Sequence, residues 1–169
     1  SGAGGEVVDS SGNNLNGYAV SVGGFPTPDV SNPAIAGNPG TCAYSQFTSS
    51  DGYLRIDDSG SSLLDMPTEL TVTTWIYPTA LPSSGLSTII SKDENFEFHL
   101  TTSGTVNWWW GGGDRELTST SAVTLNAWNH IAITFQSGQQ VLYINGQTAG
   151  THTSTVALDT NNDPLFIGV

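Results

Sequence analysis

Positive charge is what this sequence has least of. Lys and Arg together number 3 among 169 residues, against 15 Asp and Glu, which leaves a formal net charge of −12. A surface of that sign repels a phosphate backbone, so nucleic acid is not expected as a partner, and anionic membranes are disfavoured on the same ground. Charge of either sign is scarce: only 11% of residues are charged, where roughly a quarter is usual. Ser, Thr, Asn and Gly fill the polar positions instead, a composition common in proteins exposed outside the cell. Apolar runs are a few residues long, far below the ~20 needed to cross a bilayer, so no membrane insertion is expected. Ser1 to Gly5 carry neither a basic region nor an apolar stretch; if the protein is exported, its targeting segment lies outside these residues. The single cysteine, Cys42, reads either as a buried free thiol or as half of a disulfide whose partner lies elsewhere.

Helical periodicity is also missing, because Gly, Pro, Asn and Thr interrupt every apolar face before it persists for three turns. Short Val/Ile/Thr/aromatic runs separated by Gly, Asn, Asp and Ser are present throughout, the pattern of an all-β sandwich or barrel. The length suits one domain over residues 1–169. Three hairpins are legible. Ile131–Phe135 and Val141–Ile144 flank a Gly-containing loop, and Asn145-Gly146 then supplies a type I′ turn. The third joins Phe96–Thr101 to Thr105–Trp110 through a three-residue loop with Gly104 in the left-handed position. That register pairs Leu100 with Val106, Phe98 with Trp108 and Phe96 with Trp110 on one apolar face. Residues 22–40 hold Pro26, Pro28, Pro33 and Pro39 among small residues and read as a long surface loop. No internal repeat is visible.

Several blocks resemble the laminin-G-like, concanavalin-A-like jelly-roll domains. They are Leu70-Thr-Val-Thr-Thr-Trp-Ile-Tyr-Pro78, Ile89-Ile-Ser-Lys92, Trp128-Asn-His-Ile-Ala-Ile-Thr-Phe135, Leu142-Tyr-Ile-Asn-Gly146 and Phe166-Ile-Gly168, with Asp9–Asn13 and Asp51–Ile56 ahead of them. The resemblance implies a two-sheet antiparallel jelly-roll sandwich. Gly5–Asn13 and Gly37–Cys42 are similar to the laminin-G-like domain of mannose-sensitive haemagglutinin pilus biogenesis proteins, which implies an extracellular, cell-surface or periplasmic location near a type IV pilus. Family members usually continue past the Phe-Ile-Gly strand into an acidic closing strand, which is expected here either to be missing after residue 169 or to be supplied differently.

In the hairpin register Trp108 and Trp110 point to the core, while Trp109 shares the other face with Glu97, His99 and Asn107. An indole beside hydrogen-bonding groups suits a sugar, whose apolar ring face stacks while its hydroxyls find partners; the competing reading is a sheet face sealed under a loop. His130 reads as a hydrogen-bonded structural histidine, since Trp-x-His belongs to the family pattern. Asp93 and Glu97 share a strand face about 13 Å apart, too far for the carboxylate pair of a glycosidase, which needs at most ~9.5 Å. His99, His130 and His152 are scattered and no cysteine set exists, so zinc is not expected. Calcium needs only oxygens, and two turns offer them: Asp9 with Asn13 and Asn14, and Asp159-x-Asn161-x-Asp163, where Pro164 replaces the glycine that an EF-hand loop requires. Asx-turn chemistry is the ordinary reading of both turns, with calcium the alternative. The expected function is a non-catalytic recognition or adhesion module that binds glycan. The alternative is a structural domain that contacts surface or pilus proteins, and a jelly-roll glycoside hydrolase is a remote third.

Overall fold

The computed structural model describes residues 7–20, 27–29, 44–47, 52–60, 63–110, 115–136 and 138–168. Cys42, residues 111–114 and all of the loop expected over 22–40 except Thr27–Asp29 lie outside them. In chain order the strands are β1 (Tyr18–Val20), β2 (Thr27–Asp29), β3 (Tyr44–Gln46), β4 (Tyr53–Ile56), β5 (Glu69–Ile76), β6 (Leu86–Lys92), β7 (Phe96–Thr101), β8 (Thr105–Trp109), β9 (Glu116–Ala122), β10 (Asn129–Gln136), β11 (Gln139–Ile144), β12 (Gln147–Thr153) and β13 (Leu165–Ile167). No helix occurs among the described residues. The chain forms two compact units, residues 1–57 with 166–169, and residues 58–165.

In the smaller unit β1 runs antiparallel to β4 with Ala19 opposite Leu54, and β2 pairs with β3. Thr27–Asp29 is thus a short strand inside a segment whose prolines suggested only loop. Gly17 permits the closest backbone approach here, because a Cβ at this position would sit 3.0 Å from the Arg55 carbonyl oxygen.

The larger unit carries two antiparallel sheets, one with the strands β6-β7-β8-β9 in that order and one in the order β12-β11-β10-β5. This bears out the antiparallel two-sheet jelly-roll sandwich. Alternation builds it: along β10, Ile131, Ile133 and Phe135 are buried while the residues between them face out. The opposing sheet sends in Phe96, Phe98, Leu100, Val106 and Trp108. The sheets meet where the Trp108 ring stands edge-on to Phe135, centroids 6.3 Å apart.

The hairpins form as their turn residues dictate. Asn145 and Gly146 both adopt positive φ, 52° and 77°, as a type I′ turn requires. Gly104, at φ 80°, closes the β7–β8 loop, and the register pairs Leu100 with Val106 and Phe98 with Trp108. The ladder ends one pair early, at Glu97 opposite Trp109; the Trp110 N–H donates to the Arg115 carbonyl, just ahead of β9, at 3.1 Å. Its ring is nevertheless fully buried and packs 4.8 Å from that of Trp108. The indole N–H groups of Trp108 and Trp110 have no hydrogen-bond partner. Each costs about 1–3 kcal/mol, against about 4–6 kcal/mol gained by burying 150–250 Å² of ring. Burial wins.

One end of the larger unit is organised around a buried cation. The Lys92 side chain is fully buried, and its Nζ lies 3.1 Å from Asp58 Oδ2 and 3.3 Å from Asp65 Oδ1. It donates to the Asn161 carbonyl at 2.7 Å and to Asn161 Oδ1 at 2.6 Å. Asn95, also buried, reaches from the same turn to the Asp159 carbonyl. Residues distant in sequence are thereby held on one ammonium. Removing one partner of a buried ion pair leaves the other uncompensated and costs about 3–5 kcal/mol. Lys92→Met is therefore expected to lower unfolding free energy by about that amount in a denaturant titration. Trp108→Ala should cost about 3–5 kcal/mol through cavity formation. An unchanged midpoint for either variant would contradict the corresponding packing role.

Candidate functional site

The outer face of β6-β7-β8-β9 follows from the same alternation that fills the core. With Phe98 and Trp108 inward, the row Ser91–Glu97–Trp109–Glu116 lies outward across four strands, each residue opposite the next. The adjacent row is Thr88–His99–Asn107–Thr118. The four residues expected to share a face are therefore brought together. Trp109 and Glu97 are half-buried, whereas His99 and Asn107 are buried at 8% and 4% exposure.

Burial of those two polar groups is compensated within and between the two rows. His99 Nε2 lies 3.2 Å from Glu97 Oε2, and Nδ1 lies 3.4 Å from Thr88 Oγ1. Asn107 Nδ2 donates to Glu116 Oε1 and, at 3.0 Å, to Thr118 Oγ1. Hydrogen bonding to His99 holds the Glu97 carboxyl below the usual glutamate value of 4.5, with burial opposing the shift. The face thus presents an indole flanked by two carboxylates, Glu97 and Glu116, over a floor of mutually satisfied polar side chains. Glu116 and Thr118 had not been singled out from the sequence. Their signal was the alternation of Glu116-Leu-Thr-Ser-Thr120, which places Leu117 and Ser119 inward once β9 is paired with β8.

The other candidates are placed as follows. Asp9 caps its own turn: its Oδ1 accepts the Ser11 N–H at 2.7 Å and its Oδ2 accepts the Leu15 N–H at 2.9 Å. Hydrogen bonding from the Ser11 side chain first, then from the Leu15 and Ser11 N–H groups, draws its pKa down. Asn14 takes φ 61°, and its Oδ1 accepts from Asn16 Nδ2 at 2.9 Å. Hydrogen bonds account for this turn, and a calcium ion would have to share oxygens already engaged. In the 159–163 turn Asn161 is spent on Lys92, while its Oδ1 also accepts the Asp163 N–H at 3.0 Å in an Asx turn. There, a lysine ammonium sits where the spacing suggested a metal. Among the described residues, no group of three or more His, Cys, Asp and Glu is arranged to hold a metal ion. His130 lies outward on β10 with its ring 5.0 Å from that of Trp75.

Solved structures share this fold at low identity. Domain 4 of AbnA, a GH43 extracellular arabinanase from Geobacillus stearothermophilus, in complex with arabinotriose, is 19% identical over 94% of this chain and 76% of that one, with a TM-score of 0.66. The binding domain of botulinum neurotoxin DC in complex with SialylT is 15% identical over 95% of this chain and 40% of that one, with a TM-score of 0.65. Domains LG4-5 of the mouse laminin alpha1 chain are 16% identical over 68% of this chain and 31% of theirs, with a TM-score of 0.51. This chain therefore spans well under half of the neurotoxin and laminin structures. No curated protein matches the chain. Residues 48–169 match the laminin-G-like family model of the concanavalin A-like lectin/glucanase superfamily, and the chain belongs to that superfamily.

Proposed function

We propose that this domain is a non-catalytic glycan-recognition module and that the outer face around Trp109 is its binding surface. The observation that carries the reading is the row Glu97–Trp109–Glu116, a half-buried, outward-facing indole between two hydrogen-bond acceptors. A sugar ring stacked on Trp109 would present its hydroxyls to those carboxylates, while the bonds made by His99 and Asn107 keep the floor rigid. The arabinotriose and SialylT complexes of proteins with this fold support a carbohydrate ligand.

Spacing alone does not dispose of catalysis. Two strand intervals separate Glu97 from Glu116, about 9.6 Å of backbone, close to the ~9.5 Å upper limit for an inverting pair. Ionisation argues against it. A general acid needs a raised pKa, and Glu97 is shifted the other way by His99; Glu116 is exposed and accepts a hydrogen bond from Asn107. Both carboxylates suit acceptance of hydrogen bonds. The low charge and the Ser/Thr/Asn/Gly-rich composition support an exported setting, and the likeness of residues 5–13 and 37–42 to pilus biogenesis proteins supports a place at the bacterial surface. Calcium has no part in this reading.

Isothermal titration against a panel of oligosaccharides, followed by Trp109→Ala, tests the proposal. Loss of one desolvated aromatic contact should weaken binding by about 1 kcal/mol or more, roughly fivefold, with the melting temperature nearly unchanged. An unaltered affinity, or release of reducing ends that Glu97→Gln or Glu116→Gln abolishes, would overturn it. Glu97 also carries a pH signature. Its folded-state pKa is depressed, so its ionised form adds stability above the unfolded value near 4.5, and that increment disappears as pH falls through the lower folded value. The difference in melting temperature between wild type and Glu97→Gln should therefore be present at neutral pH and shrink below 4.5.

A further inference from the structure

The opposite outer face, that of β12-β11-β10-β5, carries a second group of aromatic rings that the Trp109 site leaves unused. The β5–β10 register sets Trp75 against His130, with ring centroids 5.0 Å apart. One step further along, Tyr77 meets Trp128 at 5.4 Å. Trp75 and Tyr77 are 49% and 45% exposed. A lone exposed aromatic is ordinary. Two contacting pairs in successive rows make a continuous platform, and Trp75 and Tyr77 have the exposure that a stacking surface requires.

From this platform the outward positions continue through Thr73 opposite Ala132 and then as hydroxyls and amides. Thr71 and Thr134 lie opposite one another in one row, and Gln136 pairs with Gln139 in another. These residues, with Tyr143 and Glu69 and an apolar part formed by Met66, Leu70, Phe135 and Val141, line a groove of about 550 Å³, within the ~300–1,000 Å³ of ligand sites. Trp75 and Glu69 are six residues apart on β5, so the surface extends about 20 Å along the strand, room for an oligosaccharide of several rings.

The charge of the face selects among glycans. The chain has only 3 Lys and Arg residues, and each is engaged elsewhere. Arg55 pairs with Asp57 at 2.7 Å, Lys92 is buried against Asp58, and Arg115 lies 3.7 Å from Asp159. An anionic polymer would find no Lys or Arg on this face, whereas hydroxyls and an amide pair suit an uncharged polyol. We infer that the Trp75 face is a second carbohydrate-binding surface, that it stacks a neutral polysaccharide chain on Trp75 and Tyr77, and that it rejects sulfated or uronic polymers. This surface does not depend on the Trp109 site.

Affinity gel electrophoresis of the whole chain through arabinan, galactan, mannan and mixed-linkage β-glucan tests the inference, with heparin and polygalacturonate as the anionic arm. The Trp109→Ala protein isolates the second face. It should retain retardation by at least one neutral polymer, and adding Trp75→Ala should weaken that retardation about tenfold without moving the melting temperature. Trp75→Phe should restore most of it. If Trp75→Ala changes retardation by none of the neutral polymers, or if heparin binds as well as they do, the inference fails. An effect of Trp75→Ala without one of Trp109→Ala would sink the first site alone and leave this one standing.

Discussion

Three consecutive tryptophans on an extended strand cannot share a side of a sheet. Successive side chains alternate, so whichever face takes Trp108 and Trp110 must expose Trp109 to the other. Gly104 decides which. Its positive φ closes the β7–β8 loop in the register that sets Phe98 against Trp108, and the core then receives the outer two rings. The energy of burying them makes a one-residue slip prohibitive, because a slip would carry both rings to solvent and Trp109 inward. The same constraint puts Glu97 and Glu116 on either side of Trp109. The proposed binding row is thus a by-product of core packing, and its geometry is as firm as the core.

A second constraint comes from the shortage of cations. Few Lys and Arg residues are available to pair with the acidic ones, yet one of the three is spent in the interior. Lys92 gathers two carboxylates and Asn161 from segments far apart in the chain. Such a pair adds less net stability than an apolar replacement would, since desolvation consumes much of the Coulombic gain. What it supplies is placement: loops without regular hydrogen bonding are held at a defined point. The remaining surface is left almost without positive charge, which suits both outer faces to uncharged polyols.

Much of the fold was legible because its signals are local. Asn145-Gly146, Gly104 and strict alternation in 131–135 each act within a few residues, and the strands they predicted are present. The Trp109 neighbours were legible for the same reason, since one hairpin register places all four. Glu116 was not, because reaching it requires crossing a Gly-rich connection whose length hides the next register. Nor was the aromatic platform on the opposite face. Trp75 and His130 are 55 positions apart in sequence and meet only when β5 pairs with β10. The lysine cage was unreadable too: a spacing of acidic and amide oxygens suggests a cation, but does not say that the cation is a side chain of the same chain. Thr27–Asp29 became a strand among prolines because pairing with β3 outweighs local propensity.

The claim that β8 turns Trp109 outward to stack a sugar is tested most directly by oxidative footprinting with residue-resolved mass spectrometry, free and saturated with a bound oligosaccharide. In the free protein Trp109 should oxidise readily, while Trp108 and Trp110, both at 0% exposure, stay intact; on binding, Trp109 should become protected. Oxidation of Trp109 at the same rate in the saturated complex, or a Trp109 as inert as its two neighbours in the free protein, would contradict the account.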